Sequence, residues 1–190
     1  PVHTAAVLES LKRNKIKQLF IFCDGPKNTI DAEKVQETRK LIKFIDWTNT
    51  KVFEKEKNVG LAQSIIGGIN TVLESHDRII VLEDDCVVQE NFITFMEQCF
   101  DLYKDTNIMN VSGYSFPIDL PVSYKYDIYF SQRASCWGWG TWRDKWRYFN
   151  NDISILSKIK QDRKLNNKIK FYGEDLILML ELQKKGLLNS

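Results

Sequence analysis

Glu83, Asp84 and Asp85 follow directly on the apolar run Ile79-Ile80-Val81-Leu82. Three adjacent carboxylates repel one another unless something positive joins them. A hard divalent cation with oxygen ligands, often one that also carries a phosphate, suits such a set. The run before them is short, continuous and mostly β-branched, as in a strand buried on both faces. The carboxylates therefore mark the carboxyl end of a strand, which is where open α/β sheets bind ligands. Their plainer use is an acidic turn capping the next helix, since carboxylates suit helix N-termini. That use asks for one carboxylate near Glu90 or Asn91, not three at a strand end.

Four other groups have residue types that could join such chemistry. Asp24-Gly25 ends an apolar run, Leu19 to Cys23, and is either an ordinary Asp-Gly turn or part of the same rim. Asn58-Val59-Gly60 leads into a helix, and Gly60 permits close backbone approach; a helix start of this kind can favour phosphate. The spacing is that of neither a Walker loop nor a dinucleotide fingerprint. Trp137, Trp139, Trp142 and Trp146 fall within ten residues, separated in part by Gly138 and Gly140. Tryptophans form sugar platforms and interfaces, or else staple a core. The glycines predict a loop that passes close to something. Last, Glu174-Asp175 opens an apolar helix, as helix-start carboxylates or as a general base within reach of a hydroxyl.

The elements that must position these residues alternate between two periods. Residues 4–13 read as a helix with Ala6, Val7 and Leu11 on one face. Leu19–Cys23 reads as a strand, residues 30–45 as a helix, and Lys51–Glu54 as a short strand. Leu61, Ile65, Ile66, Ile69, Val72 and Leu73 then give the cleanest helical stripe in the chain. After the carboxylate strand come a helix from Phe92 to Tyr103 and a strand over Ile108–Val111. Strands alternating with helices of this length predict βαβ units, parallel pairing and right-handed crossovers. Past Gly113 the texture changes. Pro117 and Pro121 forbid a helix there, Tyr126 to Ser131 reads as an added strand, and residues 152–170 and 174–185 read as helical. The whole reads as one domain, residues 1–190, with a ligand-binding half over 1–113 and an elaboration over 114–190. The helix at the start has no strand before it, so the chain reads as clipped at both ends.

Composition narrows the classes. The 190 residues suit a single core, and 43% hydrophobic with 27% charged is an ordinary globular balance. A net charge of +2 argues for no nucleic-acid partner. Cys23, Cys86, Cys99 and Cys136 show no C-x-x-C spacing, and His3 and His76 lie far apart, so zinc and a disulfide framework are not expected. A reducing cytosol fits best.

Taken together, Phe22-Cys23-Asp24-Gly25, Asn58-Val59-Gly60-Leu61, Val81 to Asp85, Trp137-Gly138-Trp139-Gly140 and Gly173-Glu174-Asp175 resemble a GT-A glycosyltransferase. The likeness is to the bacterial sugar transferases grouped with family 2, and more distantly to the N-acetylglucosaminyltransferase I type. It implies an α/β fold, a three-layer α/β/α sandwich with a mostly parallel central sheet, here lacking its first strand. It implies transfer of a sugar from a nucleotide-sugar, foremost a UDP-sugar, to a glycan or lipid-linked acceptor, with inversion. By that resemblance Asp24, Gly25, Asn58 and Gly60 would serve the nucleotide, and Glu83 and Asp84 the ribose and sugar. Asp85 would hold Mn²⁺ or Mg²⁺, and Trp137 and Trp139 would line the donor and acceptor pocket. Asp175, with Glu174 beside it, would take the proton. The implied place is the cytoplasm, with peripheral membrane contact if the acceptor is lipid-linked. Two other readings remain open at this point: a sugar nucleotidyltransferase, and a non-catalytic carbohydrate-binding domain built on the tryptophans.

Overall fold

A computed structural model describes residues 1–188. Two compact units make up the chain: Pro1–Ser115 with Ser135–Arg147, and Phe116–Ala134 with the residues from Tyr148 onward. The fold is mixed α/β, with eight helices and five strands among the described residues. No helix among them is long and apolar enough to cross a membrane.

The first unit opens on α1 (Val2–Arg13), whose buried stripe is Thr4, Val7, Ser10 and Leu11. β1 (Gln18–Cys23) and β2 (Asn49–Glu54) pair in parallel, joined by α2 (Thr29–Lys43). This is the βαβ unit that the sequence predicts, since parallel neighbours need a long crossover. Asn28 starts α2 by accepting the Asp31 N–H at 2.9 Å. α3 (Leu61–Leu73) buries Gly68, Ile69, Val72 and Leu73, and packs on β1 and on β3 (Arg78–Val81). α4 (Phe92–Tyr103) buries Phe92, Met96, Cys99 and Phe100.

β4 covers Val111–Ser112, shorter than the strand read at Ile108–Val111 and shifted toward its C-terminal end. The tryptophan segment departs most from its reading. Trp139–Trp142 is not a loop but a strand, β5, lying between β3 and β4 and antiparallel to both. β3 and β4 therefore run in the same direction, as the crossover through α4 requires, with β5 inserted between them. The described strands thus form two sheets, β1-β2 and β3-β5-β4, rather than one parallel run. Local pattern could not give this. Gly140 weakens a strand on propensity, yet pairs with both Ile80 and Val111. A Cβ at Gly140 would overlap Phe100 Cζ and lie 2.5 Å from the Ile79 carbonyl oxygen. The close passage that the glycines predict is real, and it is the passage of a strand over a core ring.

That core holds Phe92, Met96, Cys99, Phe100, Val111 and Trp142, with Ile80 and Leu82 of the carboxylate strand packed against it. Phe100 and Met96 are fully buried, and the Phe100 and Trp142 rings meet edge to face at 5.1 Å. Burying a side chain such as Phe100 stabilises by roughly 1.5–3 kcal/mol. Helix α5 (Arg143–Trp146) closes the first unit, where Trp146 Nε1 donates to Asn70 of α3 at 2.7 Å.

The second unit carries α6 (Ile155–Gln161), α7 (Arg163–Tyr172) and α8 (Leu176–Lys184). Asp162 caps α7 by accepting from the Lys164 and Leu165 N–H groups at 2.9 and 3.1 Å. Lys185 is the C-cap of α8, and Gly186 follows with φ +68°. Gly186 donates to Gln183 and Leu187 to Leu182, the paired bonds of a Schellman ending. Tyr126 to Ser131 is not a strand. Its alternating residues have no strand beside them to pair with, and propensity alone does not hold an isolated strand in water.

Candidate functional site

The acidic turn is built from β3 onward. The strand ends at Val81, and a bond from Cys86 N–H to the Glu83 carbonyl at 3.2 Å closes the turn. Asp84 and Asp85 are exposed and Glu83 is half-buried. Burial raises the Glu83 carboxyl above the usual range, and the charges of Asp85 and Asp84 raise it further. The crowding of the three carboxylates is the smaller part of that rise. They do not cap α4. Asn91 starts that helix with no side-chain cap bond, and its Ile93 N–H is received at 3.2 Å by Asn14, the residue that ends α1.

α1 supports the turn from beneath. Thr4 Oγ1 reaches Asp84 at 3.4 Å. The fully buried Ser10 hydroxyl accepts from Val88 N–H at 3.3 Å and donates to the Val7 carbonyl. Asn14 donates to the Gln89 carbonyl at 2.9 Å. The sequence reading passed over Thr4, Ser10 and Asn14. Their signal was polar residues set along the Val7 and Leu11 stripe, where a plain core helix would carry apolar ones.

Asp24 lies at the end of β1 and is fully engaged. Its carboxylate accepts from the backbone N–H groups of Gly25 at 3.0 Å, Val59 at 3.0 and 3.1 Å, and Gly60 at 3.0 Å. Asn58 Nδ2 donates back to the Gly25 carbonyl at 2.9 Å. Gly25 packs so tightly on Glu56 and Lys57 that a Cβ there would lie 2.6 Å from the Glu56 carbonyl oxygen. Gly60 has φ +86°, which favours glycine. The start of α3 therefore already receives a carboxylate from its own chain. Arg39 of α2 donates to the Lys55 carbonyl at 2.6 Å and lies 3.6 Å from Glu54, tying β1 and β2 at the same end. Burial raises the Cys23 thiol, with Glu54 and Asp84 adding to the rise and Arg39 opposing it. Asp84, in the turn after β3, is the smallest of these influences on Cys23.

A cleft of about 640 Å³ opens beside the turn, with Asp85, Gln89, Asn91, Phe95, Tyr114 and Trp137 among its lining. Trp137 keeps 47% of its surface exposed, and Tyr114 meets it edge to face at 4.8 Å. Tyr114 was not singled out in the sequence, where nothing marks it apart from other tyrosines. Trp139 is not part of this lining; it is half-buried in β5, 6.1 Å from the Trp146 ring. The fold therefore brings Asp85 and Trp137 to one cavity and draws Trp139 into the sheet.

Glu174 and Asp175 belong to the second unit and are both exposed. Asp175 sits at the start of α8 but makes no side-chain cap bond. Its carboxylate takes a two-point grip from Arg133, at 2.6 Å from one guanidinium nitrogen and 2.7 Å from the other. Those hydrogen bonds hold its carboxyl below the usual range, against a slight rise from desolvation. Arg133 was not foreseen, being 42 residues away in an irregular segment.

Among the described residues, no group of three His, Cys, Asp or Glu side chains is arranged to hold a metal unaided. The oxygen donors present suit a different arrangement. Mg²⁺ and its kin are commonly held by one or two carboxylates plus the phosphates of a substrate. Exposed Asp85 and Asp84 beside a desolvated Glu83 fit that donor set. Comparison of the chain with protein-family models, curated proteins and solved structures found no match.

Proposed function

We propose that the chain is a nucleotide-sugar-dependent glycosyltransferase. One observation carries the reading: Asp85 of the strand-end carboxylates lines the same cleft as the exposed Trp137 and Tyr114 rings. Charged oxygen donors and an aromatic platform in one cavity suit a ligand with a phosphate end and a sugar end. The cleft volume is in the range of small-molecule sites, ~300–1,000 Å³. The donor is a nucleoside diphosphate sugar, foremost a UDP-sugar, and the acceptor a glycan or lipid-linked saccharide.

Asp85 would hold Mn²⁺ or Mg²⁺, with Asp84 as the neighbouring donor. That ion supplies neutralisation of the diphosphate charge that grows as the glycosidic bond breaks. Glu83 and Asp84 orient the ribose and sugar. Trp137 and Tyr114 seat the sugar face and exclude water. Asp24 acts indirectly, shaping the Asn58 to Gly60 loop rather than accepting from the base. By the resemblance, Asp175 of the second unit would take the acceptor hydroxyl proton, with inversion at the anomeric carbon.

The fold that this reading implies is the three-layer α/β/α sandwich. The packing of α3 on both β1 and β3 supports it. The place is the cytoplasm, at the membrane face if the acceptor is lipid-linked; four free thiols agree with a reducing compartment.

Calorimetric titration of UDP, GDP and dTDP with and without Mn²⁺ tests the reading. Metal-dependent binding of at least one is expected, and Asp85→Ala weakens it at least tenfold. Absence of metal-dependent affinity for every diphosphate rules it out. Glycan binding that survives Asp85→Ala while no nucleotide binds would favour the carbohydrate-binding alternative, for which the Tyr114 and Trp137 pair is the specific support.

A further inference from the structure

We propose that Arg133 is the positioning residue for Asp175, fixing the orientation in which that carboxylate receives the acceptor proton. The inference rests on the reading of Asp175 as the base. Its geometry is independent of that reading. Both guanidinium nitrogens of the fork donate, one to each carboxylate oxygen, at 2.6 and 2.7 Å. A forked pair fixes the plane of the carboxylate as well as its place. The site is also shaped for the guanidinium. A Cβ at Gly173 would lie 2.9 Å from the Arg133 nitrogen and 2.9 Å from Asp175 Oδ1. The residue before Glu174 must therefore be small for the fork to close. Asp175, though at the N-terminus of α8, leaves the helix uncapped to make this contact.

A carboxylate offers about four lone-pair positions. The fork uses one on each oxygen and the residue's own N–H lies against the carboxylate as well, which leaves a position for a hydroxyl. The grip keeps the base ionised in acid while leaving it able to accept. Other charges on the packed elements are Lys158 and Lys160 of α6, Arg163, Lys164, Lys168 and Lys170 of α7, and Glu181 and Lys184 of α8. Lys160 is committed to Glu181 at 2.6 Å. Arg133 is the charged side chain whose influence on Asp175 stands out. Lysine is no substitute, because an ammonium is a point charge without the planar fork.

The test uses the full chain and three variants: Arg133→Lys, Arg133→Met and Asp175→Asn. The ¹³C-carboxyl resonance of Asp175, assigned by its loss in Asp175→Asn, is titrated with acid. Its midpoint should rise in Arg133→Met. With the UDP-sugar that the protein turns over, kcat should fall on the order of 10²-fold in both Arg133 variants, as expected for a misplaced catalytic group. KM for the donor should stay within twofold, and the acid limb of the pH profile should move to higher pH. An unmoved carboxyl midpoint in Arg133→Met overturns the grip. A normal kcat in Arg133→Met beside an inactive Asp175→Asn overturns the positioning role alone. A normal kcat in Asp175→Asn, with the carboxyl midpoint still moving, shows that the base reading is what failed.

Discussion

The Asp24 carboxylate accepts the Gly60 N–H at 3.0 Å, joining the end of β1 to the start of α3 across 36 residues. The same carboxylate receives Val59 and Gly25 N–H groups. Asp24→Ala leaves those donors without their partner, which costs about 1–3 kcal/mol for partly buried groups. Asp24→Asn keeps one acceptor oxygen and should fall between the two. The urea midpoint of unfolding reads the difference. A midpoint unchanged in Asp24→Ala would show that water replaces the carboxylate freely.

Gly140 and Gly113 both face rings of α4, with different freedom to respond. At Gly140 an added methyl would meet the Ile79 carbonyl oxygen as well as Phe100. At Gly113 it would press on the Phe92 ring, with the Gly138 carbonyl at 3.3 Å. A backbone atom cannot step aside as a ring can. Gly140→Ala should therefore cost about 1–3 kcal/mol, and more than Gly113→Ala. Thermal unfolding of the two variants checks the order, and the reverse order would mean that β5 can shift off the core.

The four thiols should separate by reactivity. Cys136 is exposed, whereas burial raises the Cys23, Cys86 and Cys99 thiols above their ordinary value. The thiolate is the reactive species. A disulfide reagent at pH 8 should modify one thiol quickly and the rest slowly. Cys136→Ser should remove the fast phase. Retention of that phase would mean that one of the other three is less shielded than its surroundings indicate.

Acid should act first on the second unit. Arg133 holds the Asp175 carboxyl, and Lys160 the Glu181 carboxyl, below their ordinary values of 3.8 and 4.5. Groups depressed in the folded state add stability above those values and lose it as pH falls through the folded ones. Only Leu156 and Ile159 of this unit are buried apolar side chains among the described residues, so little else holds its helices. All five tryptophans belong to the first unit. As pH falls below about 4.5, helical circular dichroism should therefore weaken before tryptophan emission shifts. Coincident transitions would show that the two units unfold as one.

The sequence by itself determined the local elements of the first unit from α1 to α4. Helical stripes such as Ile65, Ile69, Val72 and Leu73, and apolar runs such as Leu19 to Cys23, carry their periodicity within a few residues. It also placed Glu83 to Asp85 at a strand end, because a β-branched run that stops at carboxylates has few other uses. The tertiary structure alone decided which residues meet. Trp139–Trp142 became a strand because β3 and β4 left a gap that it fills, and its glycine was required by Phe100 from another element. Asp24 became a loop staple because the Val59 and Gly60 N–H groups arrive there from across the fold. Tyr114 joined Trp137, and Arg133 joined Asp175, through contacts 23 and 42 residues apart. Periodicity is a short-range property of the chain. Pairing between distant strands and side chains depends on the free energy of the whole packed arrangement, which no local window contains.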